Sequence, residues 1–174
     1  MGKLKQIDNM AEEKGSLLVT IWQFVKFIVV SLLAMIVQFV LLNTLDLIPA
    51  IKDLYTQEFN WLFFAYPVAV GGLGYFIVSN VANIVAQIVA FFVNKEKTFN
   101  SGANVAVALP IYIVFTIGLI VFSAWLNPTL KDVFVGWELQ EDAAKNIATM
   151  ICSAVQFFLY FPVDKILFHK KKEA

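Results

Sequence analysis

The residues of this sequence that could bind a ligand are uncharged amides placed inside apolar stretches. Four of them recur at spacings of three, four and seven residues, which describe one stripe of a helix: Asn80, Asn83, Gln87 and Asn94. Gln38 lies in an earlier apolar stretch and Gln156 in a later one. An amide in hydrocarbon needs a hydrogen-bond partner, because an unsatisfied polar group there costs several kcal/mol. We therefore expect these amides to face the interior of a helix bundle.

Basic residues follow the apolar stretches and could attract an anionic group. Four lysines lie close to the predicted ends of membrane helices: Lys26, Lys95, Lys97 and Lys165. Lys95 directly follows Asn94, and in the same way the fourth lysine directly follows Asp164. Near a membrane surface each lysine contributes about 1 kcal/mol to the attraction of an anionic lipid. The alternative, which stays open, is that these lysines only anchor their helices at the headgroup level.

The common kinds of catalytic and metal site have too few residues to form. The chain has one cysteine and one histidine, Cys152 in an apolar stretch and His169 in the C-terminal tail. Such a pair cannot supply the ligands of a typical zinc site, and the sequence shows no nucleophile paired with a base. All thirteen basic residues are lysines and the formal net charge is zero, which gives no basis for binding nucleic acid. We expect a protein that is not an enzyme and that uses no metal or cofactor.

The elements that position these residues are predicted from the apolar composition. The chain has 174 residues, is 60% hydrophobic, contains 17 Phe and has a mean hydropathy of +0.75. A soluble domain is about 45–50% apolar, so lipid is the expected solvent. We predict one all-α integral membrane domain over residues 1–174 with four transmembrane helices. About 20 apolar residues make one span, which places the spans at about 24–45, 75–93, 105–126 and 146–168.

Two prolines divide the apolar regions. Pro67 and the glycines that follow it interrupt the second region, so residues 61–73 are predicted to form an interfacial or partly re-entrant segment. Gly71 and Gly72 indicate a bend there, because the sequence lacks the Lys-Ser/Thr ending of a phosphate-binding loop. Pro128 is predicted to close the third span.

The distribution of lysines predicts the orientation of the spans. If the N-terminus is cytoplasmic, ten of the thirteen lysines lie on the cytoplasmic side. The lysines of the opposite side are then Lys52, Lys131 and Lys145. Four spans return the chain to the side where it began, so both termini are predicted to be cytoplasmic.

A short internal similarity joins the ends of the second and fourth spans. A shift of seventy residues aligns residues 91–95 (FFVNK) with residues 161–165 (FPVDK), and three of the five positions are identical. In this alignment Asn94 corresponds to Asp164. A parallel two-plus-two duplication predicts such a pattern, although aromatic-then-lysine endings also recur at membrane interfaces.

Three motifs of the chain resemble those of the GtrA-like family, small four-helix membrane proteins of polyprenyl-linked glycan assembly. Residues 24–31 (FVKFIVVS) are similar to the pattern F-x-K/R-F-x-x-V-G that opens the family's first span. Residues 91–99 (FFVNKEKTF) are similar to the ending of its second span, and residues 164–168 (DKILF) to the ending N-K/R-x-x-V-F of its fourth. The chain departs from the family pattern at Ser31, Gln38, Lys95 and Asp164.

This resemblance implies a function in handling lipid-linked sugar at the bacterial inner (cytoplasmic) membrane. The implied activity is translocation of a polyprenyl-phosphate-linked sugar for glycosylation of O-antigen, teichoic acid or another cell-surface polysaccharide. The implied partners are this sugar lipid, membrane lipids, and a glycosyltransferase or a second copy of the chain. The amides would then line a polar path for the headgroup, and the lysines with Asp164 would lie at its cytoplasmic end.

Three other interpretations stay open or are disfavoured. The protein could be a non-catalytic accessory subunit that docks or stabilises a membrane glycosyltransferase. The amides could only join helices, since interhelical hydrogen bonds average about 0.6 kcal/mol. A proton-coupled drug exporter is disfavoured, because that mechanism needs an acid deep in the membrane and no Asp or Glu lies within the first three predicted spans.

Overall fold

The fold is described by a computed structural model over residues 3–45, 47–62 and 64–169. Its helices are α1 (Lys3–Lys14), α2 (Ser16–Leu45), α3 (Pro49–Lys52), α4 (Gly72–Val93), α5 (Val105–Gly136) and α6 (Glu141–Leu167). Its two strands, which pair antiparallel, are β1 (Phe59–Trp61) and β2 (Phe64–Tyr66). Short 3₁₀ turns cover Asp53–Thr56 and Val68–Val70, and a π-helical turn covers Asn94–Thr98.

Four of the helical segments are long and apolar enough to cross a membrane. They are Ser16–Leu45, Gly72–Thr98, Val105–Gly136 and Ile147–Leu167. The predictions of a mostly helical chain and of four helices able to span a membrane are thereby confirmed. At 1.5 Å per residue, the 30 residues of α2 extend over about 45 Å, which exceeds a hydrocarbon core of about 30 Å. The predicted orientation in the membrane stays a prediction.

Helix α5 continues well beyond its predicted end. Pro128 lies inside the helix, which ends at Gly136. The proline removes one backbone donor, but the Thr129 hydroxyl donates to the Trp125 carbonyl oxygen at 2.8 Å in the same turn. Side-chain hydrogen bonds of this kind help membrane helices to accommodate a proline, and the expected break does not form.

Strands β1 and β2 form a β-hairpin between α2 and α4, in which the predicted interfacial or partly re-entrant segment begins; its place in the membrane stays a prediction. Asn60 pairs with Ala65, and the chain then reaches α4 through a tight bend. Gly71 has a φ of 100° and Gly72 a φ of 52°, and a Cβ on Gly72 would lie 2.1 Å from the backbone oxygen of Gln57. The predicted bend is therefore confirmed, because only glycine allows both the left-handed backbone and this close approach.

The hairpin is held to α4 by aromatic rings. Phe76 of α4 lies 4.3 Å from Phe59 and 5.3 Å from Tyr66, measured between ring centroids. Burial, with Tyr75 close by, raises the pKa of Tyr66, so its hydroxyl stays neutral at physiological pH. These hairpin rings therefore pack against the helix that follows them.

Helix α1 was not predicted, because its polar sequence gives no strong apolar period. It is fixed to α2 by one carboxylate, since Asp8 Oδ1 lies 2.8 Å from Lys26 Nζ and accepts a hydrogen bond from Trp22 Nε1 at 2.7 Å. These contacts join residues 14 and 18 positions apart, so the local sequence pattern alone does not reveal them.

Small residues set the packing of α4 against α2. Ala82, Ala86 and Ala90 recur at every fourth position on the buried face of α4. Val30 and Ala34 of α2 pack against this face. Small side chains at this spacing let two membrane helices approach closely, and van der Waals contact then stabilises the pair. Helix α5 packs chiefly against α6 in a second pair.

One end of the bundle is closed by aromatic side chains. Phe24 and Phe27 of α2 meet Phe157 and Phe161 of α6 with ring centroids 5.0 to 5.8 Å apart. Lys165 Nζ donates to Thr20 Oγ1 at 2.7 Å, so the start of the first span and the end of the fourth lie side by side. We call this the terminal end of the bundle.

Candidate functional site

A cavity lined by both polar and apolar side chains lies inside the bundle, next to the terminal end. Its volume is about 150 Å³, more than one buried water needs. All four spans contribute side chains: Phe27, Ser31, Ala34, Met35, Gln38, Gln87, Ala90, Asn94, Tyr112, Ser153, Gln156, Phe157 and Tyr160. Met35 of α2 and Ser153 of α6 are exposed at its rim. The cavity therefore opens sideways between α2 and α6.

Four of the predicted amides line this cavity, and their hydrogen bonds differ. Gln87 Oε1 accepts from the Tyr112 hydroxyl at 3.1 Å, which ties α4 to α5. Gln156 Nε2 donates to Ser123 Oγ, which ties α6 to α5. Within the described part of the chain, Gln38 makes no hydrogen bond to protein. An amide can make four hydrogen bonds, so the cavity wall keeps polar capacity that the protein does not use.

The other two amides of the predicted stripe lie away from the cavity. Asn80 Nδ2 donates to the Phe76 carbonyl oxygen of its own helix at 2.7 Å, and Asn83 is half-buried. Of the predicted stripe, only Gln87 and Asn94 therefore line the cavity. The innermost face of α4 is occupied by alanines that admit α2, and an amide that bonds its own helix needs no inward partner.

Asn94 is the centre of a buried polar cluster at the terminal end. Its Nδ2 donates to Asp164 Oδ2 at 2.7 Å, and its Oδ1 accepts from the Thr98 hydroxyl at 2.8 Å. All three side chains are at most 1% exposed. The two residues that correspond in the internal similarity are thus joined directly, which supports related roles for the two span ends; the duplication itself stays a prediction.

A second set of hydroxyls extends the polar wall. The Tyr160 hydroxyl contacts Thr116 Oγ1 at 3.0 Å, and Thr116 donates to the Tyr112 carbonyl oxygen at 2.9 Å. Sequence reasoning missed both tyrosines. The available signal was a tyrosine near the middle of an apolar span, where its hydroxyl needs a partner.

Lys95 does not point into the cavity beside Asn94, as the predicted pairing requires. Its Nζ donates to the Ser101 carbonyl oxygen at 3.0 Å and lies 3.6 Å from Glu96 Oε1. The Ser101 amide donates back to the Lys95 carbonyl oxygen at 2.8 Å. Asn94 and Lys95 both lie in the π-helical turn, which is closed by a bond from Phe99 N to Asn94 O. Their side chains point in different directions, so Lys95 stabilises the loop instead of facing the cavity.

The other predicted lysines border two surface cavities at the terminal end. Lys26 and Lys97 line a cavity of about 580 Å³ between α1, the start of α2 and the turn after α4. Lys165 lines a neighbouring cavity of about 480 Å³. The walls of the larger one include the acidic residues Asp8, Glu12 and Glu96. The predicted site residues are therefore divided between an uncharged interior and a mixed-charge surface.

The cavity wall offers amide and hydroxyl groups for neutral hydrogen bonds. Across residues 3–45, 47–62 and 64–169, no group of three or more His, Cys, Asp or Glu side chains could hold a metal ion. The tail lysines that were predicted to fix the orientation lie outside the described residues; they are Lys170, Lys171 and Lys172. The cavity can bind a ligand whose surface is rich in uncharged donors and acceptors.

Comparison with known proteins gives no match. The chain matches no model of a protein family, and no curated protein or solved structure matches it. The resemblance of its three motifs to the GtrA-like family is therefore a prediction that rests on the sequence alone.

Proposed function

We propose that this protein translocates a polyprenyl-phosphate-linked sugar across the bacterial cytoplasmic membrane for glycosylation of a cell-surface polysaccharide. The observation that carries the proposal is the cavity between the four spans, which is lined by amide and hydroxyl groups. The protein catalyses no bond formation in this proposal. Both termini lie in the cytoplasm, as the lysine distribution predicts.

The chemistry of the cavity supports a sugar headgroup. Sugar hydroxyls donate and accept hydrogen bonds without charge, and amides are their natural counterparts. Gln38 offers a complete unused amide, while Gln87 and Gln156 are held in place by bonds to α5. Because polar groups cost several kcal/mol in hydrocarbon, a wall that replaces water lowers the barrier to crossing.

The sideways opening supports a lipid-linked ligand. A prenyl chain gains nothing by leaving the bilayer, so its headgroup must reach the cavity from the side. The rim between α2 and α6, marked by Met35 and Ser153, provides such a route. Lys97 and Lys165 lie near the predicted cytoplasmic surface, where each adds about 1 kcal/mol of attraction for the lipid phosphate.

A reconstitution experiment tests the proposal. The purified protein is placed in vesicles that contain a fluorescent, short-chain polyprenyl-phosphate hexose, and a reagent that cannot cross the membrane quenches the outer leaflet. Translocation predicts quenching of more than half of the signal, against about half in protein-free vesicles. Quenching that stops at half, together with co-purification of a glycosyltransferase from cells, would instead establish the accessory-subunit interpretation.

A further inference from the structure

One acidic residue of the bundle is buried without a charged partner. Asp164 is 0% exposed. Its Oδ2 accepts the hydrogen bond from Asn94, but its Oδ1 has no hydrogen-bond partner among the residues that the structure describes. The sugar contacts proposed above do not use this carboxylate.

The lysines of the terminal end are directed elsewhere. Lys165, next in sequence, donates to Thr20. Lys95 bonds the Ser101 carbonyl oxygen, and Lys26 pairs with Asp8. Neither of the ion pairs Lys26–Asp8 and Lys95–Glu96 involves Asp164.

Among the described residues, the groups that face Asp164 from the surrounding elements carry no positive charge. The π-helical turn that follows α4 presents the Asn94 amide. Tyr112 of α5 and Tyr160 of α6 lie close enough to Asp164 to interact with it electrostatically, and both are phenols. Helix α2 supplies Phe27 to the cluster of buried apolar residues at this end. A negative charge here would therefore have no cationic partner within the described part of the chain.

An ionised carboxylate in such surroundings is strongly unfavourable, because burial removes its hydration and the hydrogen bond from Asn94 replaces only a small part of it. We infer that Asp164 is a proton-binding site, and that the bound proton keeps α4 and α6 in contact at the terminal end. The proton comes from water on that side. An O–H bond forms on the carboxylate when the proton binds and breaks when it leaves, without any redox step.

This site is connected to the cavity through one residue. Asn94 lines the cavity and also bonds Asp164, while Thr98 fixes the orientation of its amide. Loss of the proton would place a charge beside the contact between α4 and α6 and would draw water to it. Separation of the two helix ends would then change the cavity wall at Asn94.

Infrared spectroscopy tests the proton site without any sugar, so its result does not depend on the proposed function. The protein in nanodiscs, labelled with ¹³C-aspartate, is compared between neutral and alkaline pH. We expect a protonated-carboxyl C=O band that shifts with the label, disappears at alkaline pH and is missing from Asp164→Asn. Asp8→Asn, which changes a half-exposed and paired carboxylate, should retain the band.

Hydrogen exchange provides the second measurement. Exchange over residues 94–101 should rise at alkaline pH more than intrinsic chemistry explains, and Asp164→Asn should remove the excess because its side chain stays neutral. If the unaltered protein shows no aspartic-acid band at neutral pH, the inference is overturned, and that test needs no variant. A band that persists in Asp164→Asn also overturns it.

Discussion

The buried cluster around Asn94 gives the sharpest prediction for stability. The change Asn94→Ala removes the donor to Asp164 and the acceptor for Thr98 together. Each partner is then a buried polar group without its bond, which costs about 1–3 kcal/mol. Measured interhelical bonds in membranes are weaker, about 0.6 kcal/mol on average and up to about 1.7. We therefore expect a total loss of about 2–4 kcal/mol in the free energy of unfolding.

Asn80→Ala is the matched control, because it makes the same substitution on the same helix. Asn80 bonds only a backbone oxygen of its own helix, so we expect a loss below about 0.5 kcal/mol. Thr98→Val removes only the bond to Asn94 and should fall between the two, at about 1 kcal/mol.

The assay is reversible unfolding in mixed micelles with increasing SDS, followed by circular dichroism. A double-mutant cycle of Asn94→Ala and Thr98→Val isolates their coupling. If Asn94→Ala lies within about 0.5 kcal/mol of Asn80→Ala, the cluster does not join the helices and the reasoning fails.

Two further predictions concern the bend and helix α1. Gly72→Ala should lower stability by about 1–3 kcal/mol, because its Cβ meets the Gln57 backbone oxygen. Gly118→Ala is the control, since its Cβ has open space, and it should change stability by less than about 1 kcal/mol. Thermal unfolding of both variants checks this pair, and equal melting temperatures would contradict the prediction. Asp8→Asn should release α1 and lower the free energy of unfolding by no more than about 1 kcal/mol, since the Asp8–Lys26 pair is partly exposed. It should also alter the fluorescence of Trp22, which donates a hydrogen bond to Asp8. An unchanged fluorescence spectrum, with an unchanged dependence of stability on salt, would show that Asp8 does not hold α1.

The four spans could be predicted because long apolar stretches have one stable solution in lipid, in which a helix satisfies its own backbone. The smaller elements could not. Helix α1 depends on Asp8 contacting residues of α2, and the hairpin depends on Phe76 of α4. Both contacts are set by tertiary packing rather than by local sequence periodicity.

The candidate site could be predicted in part for the same reason. The requirement that buried amides find partners correctly placed Gln87 and Asn94 inside, with Gln38 and Gln156 opposite them. It failed at Asn80, which satisfies its amide on its own helix. The predicted pairing of Lys95 with Asn94 also failed. The two residues are adjacent in the π-helical turn, but their side chains bond different partners.

The central claim is that the amides of the cavity bind a headgroup rather than only joining helices. Gln38→Leu tests it most directly, since Gln38 has no protein partner among the described residues and its loss breaks no interhelical bond. Asn43→Leu, on the same helix, is the control because Asn43 bonds its own Phe39 carbonyl oxygen. Loss of one neutral hydrogen bond of about 0.5–1.5 kcal/mol predicts roughly 2- to 10-fold slower translocation of the fluorescent lipid-linked hexose in Gln38→Leu, with the control unchanged. Equal rates in the two variants and the unaltered protein would contradict the claim.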